Sequence, residues 1–198
     1  MDIRAGVLAL QGGVAEHVSM LRGMGLSVTE VRTPGNLTGL DCLFLPGGES
    51  TTLMSLLDRW ELTAPLRSLA ASGIPIMGTC AGAVLMSSRI SEREHRIRQD
   101  SLGLADVEAV RNRFGRQKHS FQEDLSVSGL DTPFPGVFIR APLLLPLSGR
   151  VTVLCSVNEG PVMVRQDGMW LTAFHPELTG DDRVHRLFLR ESGVAPPV

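Results

Sequence analysis

Cys80 sits between Gly78 and Gly82 at the end of a short apolar run, Ile74-Pro75-Ile76-Met77. That spacing predicts a nucleophile elbow, in which a strand ends in a sharp turn into a helix and the central side chain stands clear of the sheet. Glycines are needed two positions away on each side because a Cβ there would clash. A helix expected from Ala81 to about Arg89 would start beside the thiol, where unpaired N–H groups and the positive end of the helix dipole favour a thiolate. The plainer alternative is a cysteine buried at a tight turn.

A thiol nucleophile needs a base within hydrogen-bond reach and a group that orients the base. His175 and Glu177, in Phe174-His175-Pro176-Glu177, supply both. Pro176 disfavours helical geometry at His175, so the segment is expected to be extended, with the two side chains on one side of the chain. A carboxylate on one imidazole nitrogen would fix the tautomer while the other nitrogen faces the thiol. A surface turn is the alternative reading of His-Pro-Glu alone. Pro46-Gly47-Gly48-Glu49 ends another apolar run, and adjacent glycines let main-chain N–H groups approach a developing oxyanion. A nucleotide-binding loop would need a Gly-Lys-Ser/Thr ending, which this segment lacks.

These groups meet only if the strands that carry them end at the same edge of a sheet. In the first half of the chain, short apolar runs (residues 3–10, 27–32, 42–45 and the run before Cys80) alternate with helical patterns at 14–24, around Leu53-Leu56-Leu57 and at 64–71, the mark of βαβ units. Gly25 and Gly73 close two of these helices, and Ser50-Thr51-Thr52 offers N-cap candidates. The second half reads as strands at 105–110, 125–127, 136–139, 151–157, 161–165 and 169–174, expected as antiparallel additions to the sheet, followed by a helix at about 181–191. Residues 91–101 are dense in charge and read as a solvated surface insertion, and 192–198 as a flexible tail. The fold class is therefore α/β, a three-layer open and mostly parallel sheet with helices on both faces, in one domain spanning 1–198.

Composition narrows the function. With 19 basic and 21 acidic residues in 198, a net charge of −2 leaves no electrostatic footprint for nucleic acid. Cys42, Cys80 and Cys155 are odd in number and lack zinc-ligand spacing, so neither a disulfide framework nor a metal site is expected. No apolar run approaches the ~20 residues of a membrane span, and the first residues lack a signal-peptide layout. A soluble cytoplasmic protein is expected.

Taken in chain order, Gly47-Gly48, the Cys80 elbow and His175-x-Glu177 resemble the class I (triad) glutamine amidotransferase family, whose sheet is flavodoxin-like. An α/β-hydrolase would place its acid before its histidine. Further segments are similar to the branch of that family formed by glutaminase subunits of pyridoxal phosphate synthase: Leu8-Ala9-Leu10-Gln11-Gly12, Gly48-Glu49-Ser50-Thr51-Thr52, Arg111-Asn112-Arg113-Phe114-Gly115-Arg116-Gln117, Phe138-Ile139-Arg140-Ala141-Pro142 and His175-Pro176-Glu177-Leu178-Thr179. The resemblance implies Cys80 as nucleophile, His175 as base and Glu177 as its orienting partner. It implies a glutamine site of Gly47, Gly48, Glu49, Arg111, Ile139 and Arg140, with Glu49 able to accept from the α-ammonium and an arginine able to pair with the α-carboxylate. For Arg111 and Arg140 a structural salt bridge is the alternative.

Gln11 matches the position that links the oxyanion loop to a partner, with an ordinary loop residue as its alternative. The implied reaction is hydrolysis of L-glutamine to glutamate and ammonia without metal or organic cofactor. The implied partner is a TIM-barrel pyridoxal phosphate synthase subunit that takes up the ammonia and completes the oxyanion hole. The rivals are a glutaminase serving histidine or purine synthesis, a cysteine hydrolase on the same fold, and a binding module with a broken triad. The chain departs from the family at residues 91–101 and at Gly13, where a bulkier residue is frequent. His17, on the first helix, is expected to be exposed, and no role is expected for His119.

Overall fold

Cys42-Leu43-Phe44-Leu45 forms a strand buried along its whole length, as a strand must be when helices cover both faces of a parallel sheet. The computed structural model describes residues 3–92, 95–96, 99–111 and 120–194. The first half alternates as β1 (Arg4–Leu8), α1 (Val14–Gly23), β2 (Ser27–Val31), β3 (Cys42–Leu45), α2 (Ser50–Arg59), α3 (Thr63–Ala71), β4 (Ile76–Thr79) and α4 (Ala81–Met86). The second half continues with β5 (Ser87–Glu92), β6 (His95–Arg96), β7 (Ala105–Arg111), β8 (Ser120–Leu125), β9 (Phe134–Ile139), β10 (Leu143–Pro146), β11 (Thr152–Val157), β12 (Gly160–Gln166), β13 (Met169–Thr172) and α5 (Arg183–Glu191).

Among the described residues the principal sheet has the order β11-β12-β13-β4-β3-β1-β2. The five strands from β13 to β2 run parallel, and β12 and β11 extend that edge antiparallel. Successive residues of β3 face opposite sides of the sheet. Phe44 meets His17 of α1 and His185 and Phe188 of α5, with ring centroids 5.9, 5.7 and 5.3 Å away. On the other side, Leu45 lies against Gly82 of α4, whose missing Cβ would come 3.0 Å from the Leu45 Cβ. These contacts give the sheet its two helical layers. In α5, Val184, Leu187 and Phe188 turn to the core while Arg190 and Glu191 stay exposed. Among the described residues, no helix is long and apolar enough to cross a membrane.

The second half departs from expectation. Of its strands, β11, β12 and β13 join the principal sheet, β13 parallel to β4 and not antiparallel as expected; β10-β7-β5-β6 form a second sheet and β8-β9 a separate pair. The helix expected to reach about Arg89 stops at Met86, because Ser87 turns extended, donates its hydroxyl to Ala83 O at 2.9 Å and starts the ladder with β7. The solvated loop expected at 91–101 is partly strand: Ser91 is buried in β5, and β6 pairs back on it. Positions 93, 94, 97 and 98 lie outside the described residues. A strand expected at 125–127 ends there instead, since Ser120–Leu125 pairs with β9 despite its acidic residues. β10 is masked in the sequence by Pro142 and Pro146, which an edge strand tolerates. The expected tail is held at its start: Val194 N–H donates to Leu189 O at 2.8 Å, and positions 195–198 lie outside the described residues.

Phe188, fully buried, packs its ring on Phe44 and on Trp170 of β13, 5.8 Å away. Phe188→Ala is expected to cost about 3–5 kcal/mol, read as a lowered midpoint of urea unfolding at unchanged slope.

Candidate active site

The loops after β1, β3, β4 and β13 open at the carboxyl edge of the sheet, where open α/β folds bind ligands. They carry Gln11, Gly47 to Glu49, Cys80, and His175 with Glu177. The ends of β7 and β9 bring Arg111, Ile139 and Arg140 opposite them. All of these residues line a single cleft of about 420 Å³.

Cys80 has φ 49° and ψ −102°, a strained conformation for a residue with a Cβ. The neighbouring chain holds it there: Cys80 N–H donates to Thr172 O at 2.7 Å, and Cys80 O accepts from Val84 N–H at 3.0 Å. The flanking glycines are required by contact. A Cβ on Gly82 would lie 2.0 Å from Leu45 O, and one on Gly78 would lie 2.5 Å from Met86 Sδ and 2.8 Å from the Gly82 carbonyl. The Cys80 thiol faces the Ile139 carbonyl at 3.7 Å.

His175 Nδ1 lies 2.7 Å from Glu177 Oε1, both side chains buried. The expected extended segment is not what joins them. His175 has φ −106° and ψ 86°, and Pro176–Leu178 forms a 3-10 turn that folds Glu177 back onto the ring. His175 N–H donates to Val137 O at 2.8 Å, fixing the backbone that carries the imidazole. Burial works against a proton on His175, but the nearby Cys80 thiol and then the Glu177 carboxylate outweigh it and push the imidazole up to about 10. His175 Nε2 forms no hydrogen bond of good geometry. Burial opposes the charge on Glu177, but His17 and His175 hold its carboxyl below the usual range.

The oxyanion-loop candidate is packed backbone on backbone. Gly13 N–H donates to Gly47 O at 3.0 Å, and Glu49 N–H donates to Gln11 Oε1 at 3.0 Å. Gly12, at φ 96°, passes so close that a Cβ would fall 1.7 Å from Gly47 O. A Cβ on Gly47 would strike His175 Cε1 at 2.4 Å, and one on Gly48 would strike Gln11 Oε1 at 2.4 Å. Gly13 carries no such constraint, its nearest neighbour being Glu177 Oε1 at 3.5 Å.

Glu49, not the Ser50-Thr51-Thr52 cluster, caps α2. Its carboxylate accepts from Thr51 N–H at 3.2 Å, Thr52 N–H at 2.8 Å and Thr52 Oγ1 at 2.7 Å, and also from Thr51 Oγ1. The Thr51 hydroxyl leads in lowering its pKa; burial opposes, and Thr52 adds to bring it to about 2. Arg111 Nη1 donates to Gln99 Oε1 at 2.9 Å, which also accepts from Ser50 Oγ at 3.4 Å. Gln99, within the segment expected to be a surface insertion, thus supports the cleft wall. Among the described residues neither Arg111 nor Arg140 has a carboxylate partner, and Arg140 sits at φ 47°. Among the described residues no three His, Cys, Asp or Glu side chains are grouped to hold a metal ion.

A thiol beside an imidazole that is itself bonded to a carboxylate can carry out acyl transfer through a covalent intermediate. A model of the SNO glutamine amidotransferase family matches residues 7–193. The chain belongs to that family. It is 47% identical over 189 residues to the pyridoxal 5'-phosphate synthase subunit PdxT of Listeria monocytogenes serotype 4a, covering 95% of this chain and 98% of the relative. It is 50% identical over 187 residues to the PdxT of a Parafrankia species, covering 94% and 91%. A crystal structure of a glutamine amidotransferase superimposes with a TM-score of 0.88 at 43% identity, covering 96% of this chain and 99% of that one. The structure of PurLQS from Thermotoga maritima shares the fold, with a TM-score of 0.70 at 16% identity.

In this member of the SNO family one neighbour of the triad candidates is contrary to expectation. His17 is fully buried, with Nε2 3.5 Å from Glu177 Oε2. Its spacing from Val14 and Leu21 on α1 places it on the buried face, a helical periodicity that could have located it. Gly12, Glu16, Ser50, Val84, Pro142 and Leu178 also line the cleft. The segment 112–117 that carried part of the resemblance, and His119, lie outside the described residues.

Gly47→Ala is expected to displace the His175 ring and slow alkylation of Cys80 by iodoacetamide about tenfold at neutral pH, with the circular dichroism unchanged. Glu49→Ala is expected to cost about 1 kcal/mol of stability near neutral pH. Because the carboxyl is depressed in the folded protein, the gap between wild type and variant is complete above pH 4.5 and closes as pH falls through about 2. Urea titrations of both proteins at stepped pH measure it.

Proposed function

We propose that this chain hydrolyses L-glutamine to L-glutamate and ammonia and hands the ammonia to a TIM-barrel pyridoxal 5'-phosphate synthase subunit. The observation that carries the reading is the buried His175–Glu177 pair, 2.7 Å apart, beside the Cys80 elbow. PdxT relatives 47% and 50% identical over nearly the whole chain support the choice of substrate and partner. So does a cleft whose far wall holds two arginines with no carboxylate partner among the described residues, suited to an α-carboxylate. Glu49 serves the α-ammonium only by sharing acceptor sites with the Thr51 and Thr52 donors of its cap.

Cys80 attacks the side-chain amide carbon as the thiolate, and the C=O electron pair moves onto oxygen beside Gly47-Gly48. His175 gives its Nε2 proton to the amide nitrogen, the C–N bond breaks and ammonia leaves. Water, deprotonated by His175, then attacks the thioester; glutamate departs and the thiol is restored. Glu177 keeps the imidazole oriented and supports its charge throughout. Gln11, hydrogen-bonded to the backbone of Glu49, is the residue through which partner docking reaches the oxyanion loop. The free thiols of Cys42, Cys80 and Cys155 fit the reducing cytoplasm, the compartment we propose for it.

Glutamate release from glutamine, measured with and without added synthase subunit, tests this. Cys80→Ala is expected to lower the rate by about 10³-fold or more, and wild-type turnover is expected to rise when the partner is present. Cys80-dependent turnover indifferent to the partner would favour another amidotransferase glutaminase or a free-standing hydrolase. No turnover in any condition would sink the enzymatic reading.

A further inference from the structure

His17 places an imidazole against the side of Glu177 that His175 does not use. Its Nε2 lies 3.5 Å from Glu177 Oε2, and both atoms are buried and lack a formed hydrogen bond. A buried carboxylate oxygen left without a donor is costly, so a donor facing it matters. The site around His17 is closed: Phe44 packs on one side, and the His185 ring of α5 meets it edge-on at 5.7 Å. The titratable groups that face it are Glu177, His175, Glu16 and His185.

We propose that His17 is a positioning residue for amide hydrolysis: as a neutral imidazole carrying its proton on Nε2, it donates to Glu177 Oε2 and so commits Oε1 to His175. The inference rests on the glutaminase reading for its catalytic consequence but not for the contact itself. Burial keeps His17 from taking a second proton, against the pull of Glu177 and with the help of His175. Burial likewise brings His185 down to about 3, so the paired rings stay uncharged. Only the Nε2–H tautomer gives Glu177 a donor; the Nδ1–H tautomer would set two lone pairs against each other. The contact also ties the acid to the oxyanion loop, because the same turn of α1 begins at Gly13, whose N–H holds Gly47 O.

Two measurements test it. Nitrogen-15 NMR of the histidine rings in the substrate-free full chain is expected to show His17 as the neutral Nε2–H tautomer from pH 5 to 8; an Nδ1–H tautomer or a freely titrating ring would overturn the inference even in an active enzyme. Glutaminase kinetics with the synthase subunit then compare His17→Phe, which fills the space without a donor, with His17→Gln, whose amide nitrogen reaches the same point. His17→Phe is expected to lower kcat about 10- to 100-fold with KM for glutamine within about twofold. The acid limb of its kcat profile should move to higher pH, since a carboxylate that loses a donor takes up a proton more readily. His17→Gln is expected to restore kcat to within about threefold and to return the limb. A cooperatively folded His17→Phe with an unmoved acid limb, or a His17→Gln no better than His17→Phe, would refute the role. Lack of Cys80-dependent turnover in the wild type would instead overturn the glutaminase reading, leaving the tautomer to decide the contact.

Discussion

The loops after β1, β3, β4 and β13 meet at glycines, closer than a Cβ would allow, and the geometry of the cleft depends on that approach. Gly82 rests on the Leu45 carbonyl, Gly12 on the Gly47 carbonyl, and Gly47 against the His175 ring. Each contact joins a loop from a different strand of the parallel sheet. Cys80 keeps its positive φ because the turn is clamped between the Thr172 carbonyl at its N–H and the start of α4 at its own carbonyl. Strain of this kind persists where surrounding structure over-determines it. The order β13-β4-β3-β1 brings those loops side by side in space although they are far apart in the chain.

Burial and charge are arranged around the imidazole in the same economical way. Glu177 sits between two histidines that differ in state: His175, raised by the thiol and the carboxylate, and His17, lowered by burial. One carboxylate thereby helps to hold a proton on the ring at one side and faces, on the other, a ring on which burial disfavours one. Glu49, only a short way along the cleft, has its oxygens occupied by the first turn of α2. Its charge is fixed in place by the cap and is fully developed well below neutral pH.

The parallel half of the fold was legible because its strands are continuous apolar runs and its loops carry glycines at positions where a Cβ cannot fit. Cys80, His175, Glu177 and the Gly47-Gly48 pair could be placed at one edge from spacing alone. The second half was harder to read. Ser120–Leu125 carries acidic residues on exposed faces, and Leu143–Pro146 is bracketed by prolines, so neither shows the alternation that marks a strand. Residues 91–101 look like a solvated insertion by charge, yet Gln99 bonds to Arg111. His17 escaped for a different reason: a histidine on an amphipathic helix reads as polar, and only its register with Val14 and Leu21 reveals the buried face. The contact that joins His175 to Glu177 was anticipated, although the turn that makes it was not.

The two walls of the cleft differ in the substance they are made of. The wall built by the principal sheet is largely main chain, and glycines there leave no room for a larger residue. The wall contributed by β7 and β9 is made of the Arg111 and Arg140 side chains and the Ile139 carbonyl, standing on smaller sheets outside the parallel core. In the function proposed above, chemistry and recognition are therefore housed in parts of the fold with unequal freedom to vary. A descendant of this scaffold that came to accept a different amide would change the second wall first, keeping the sulfur, the ring and the glycines as they are.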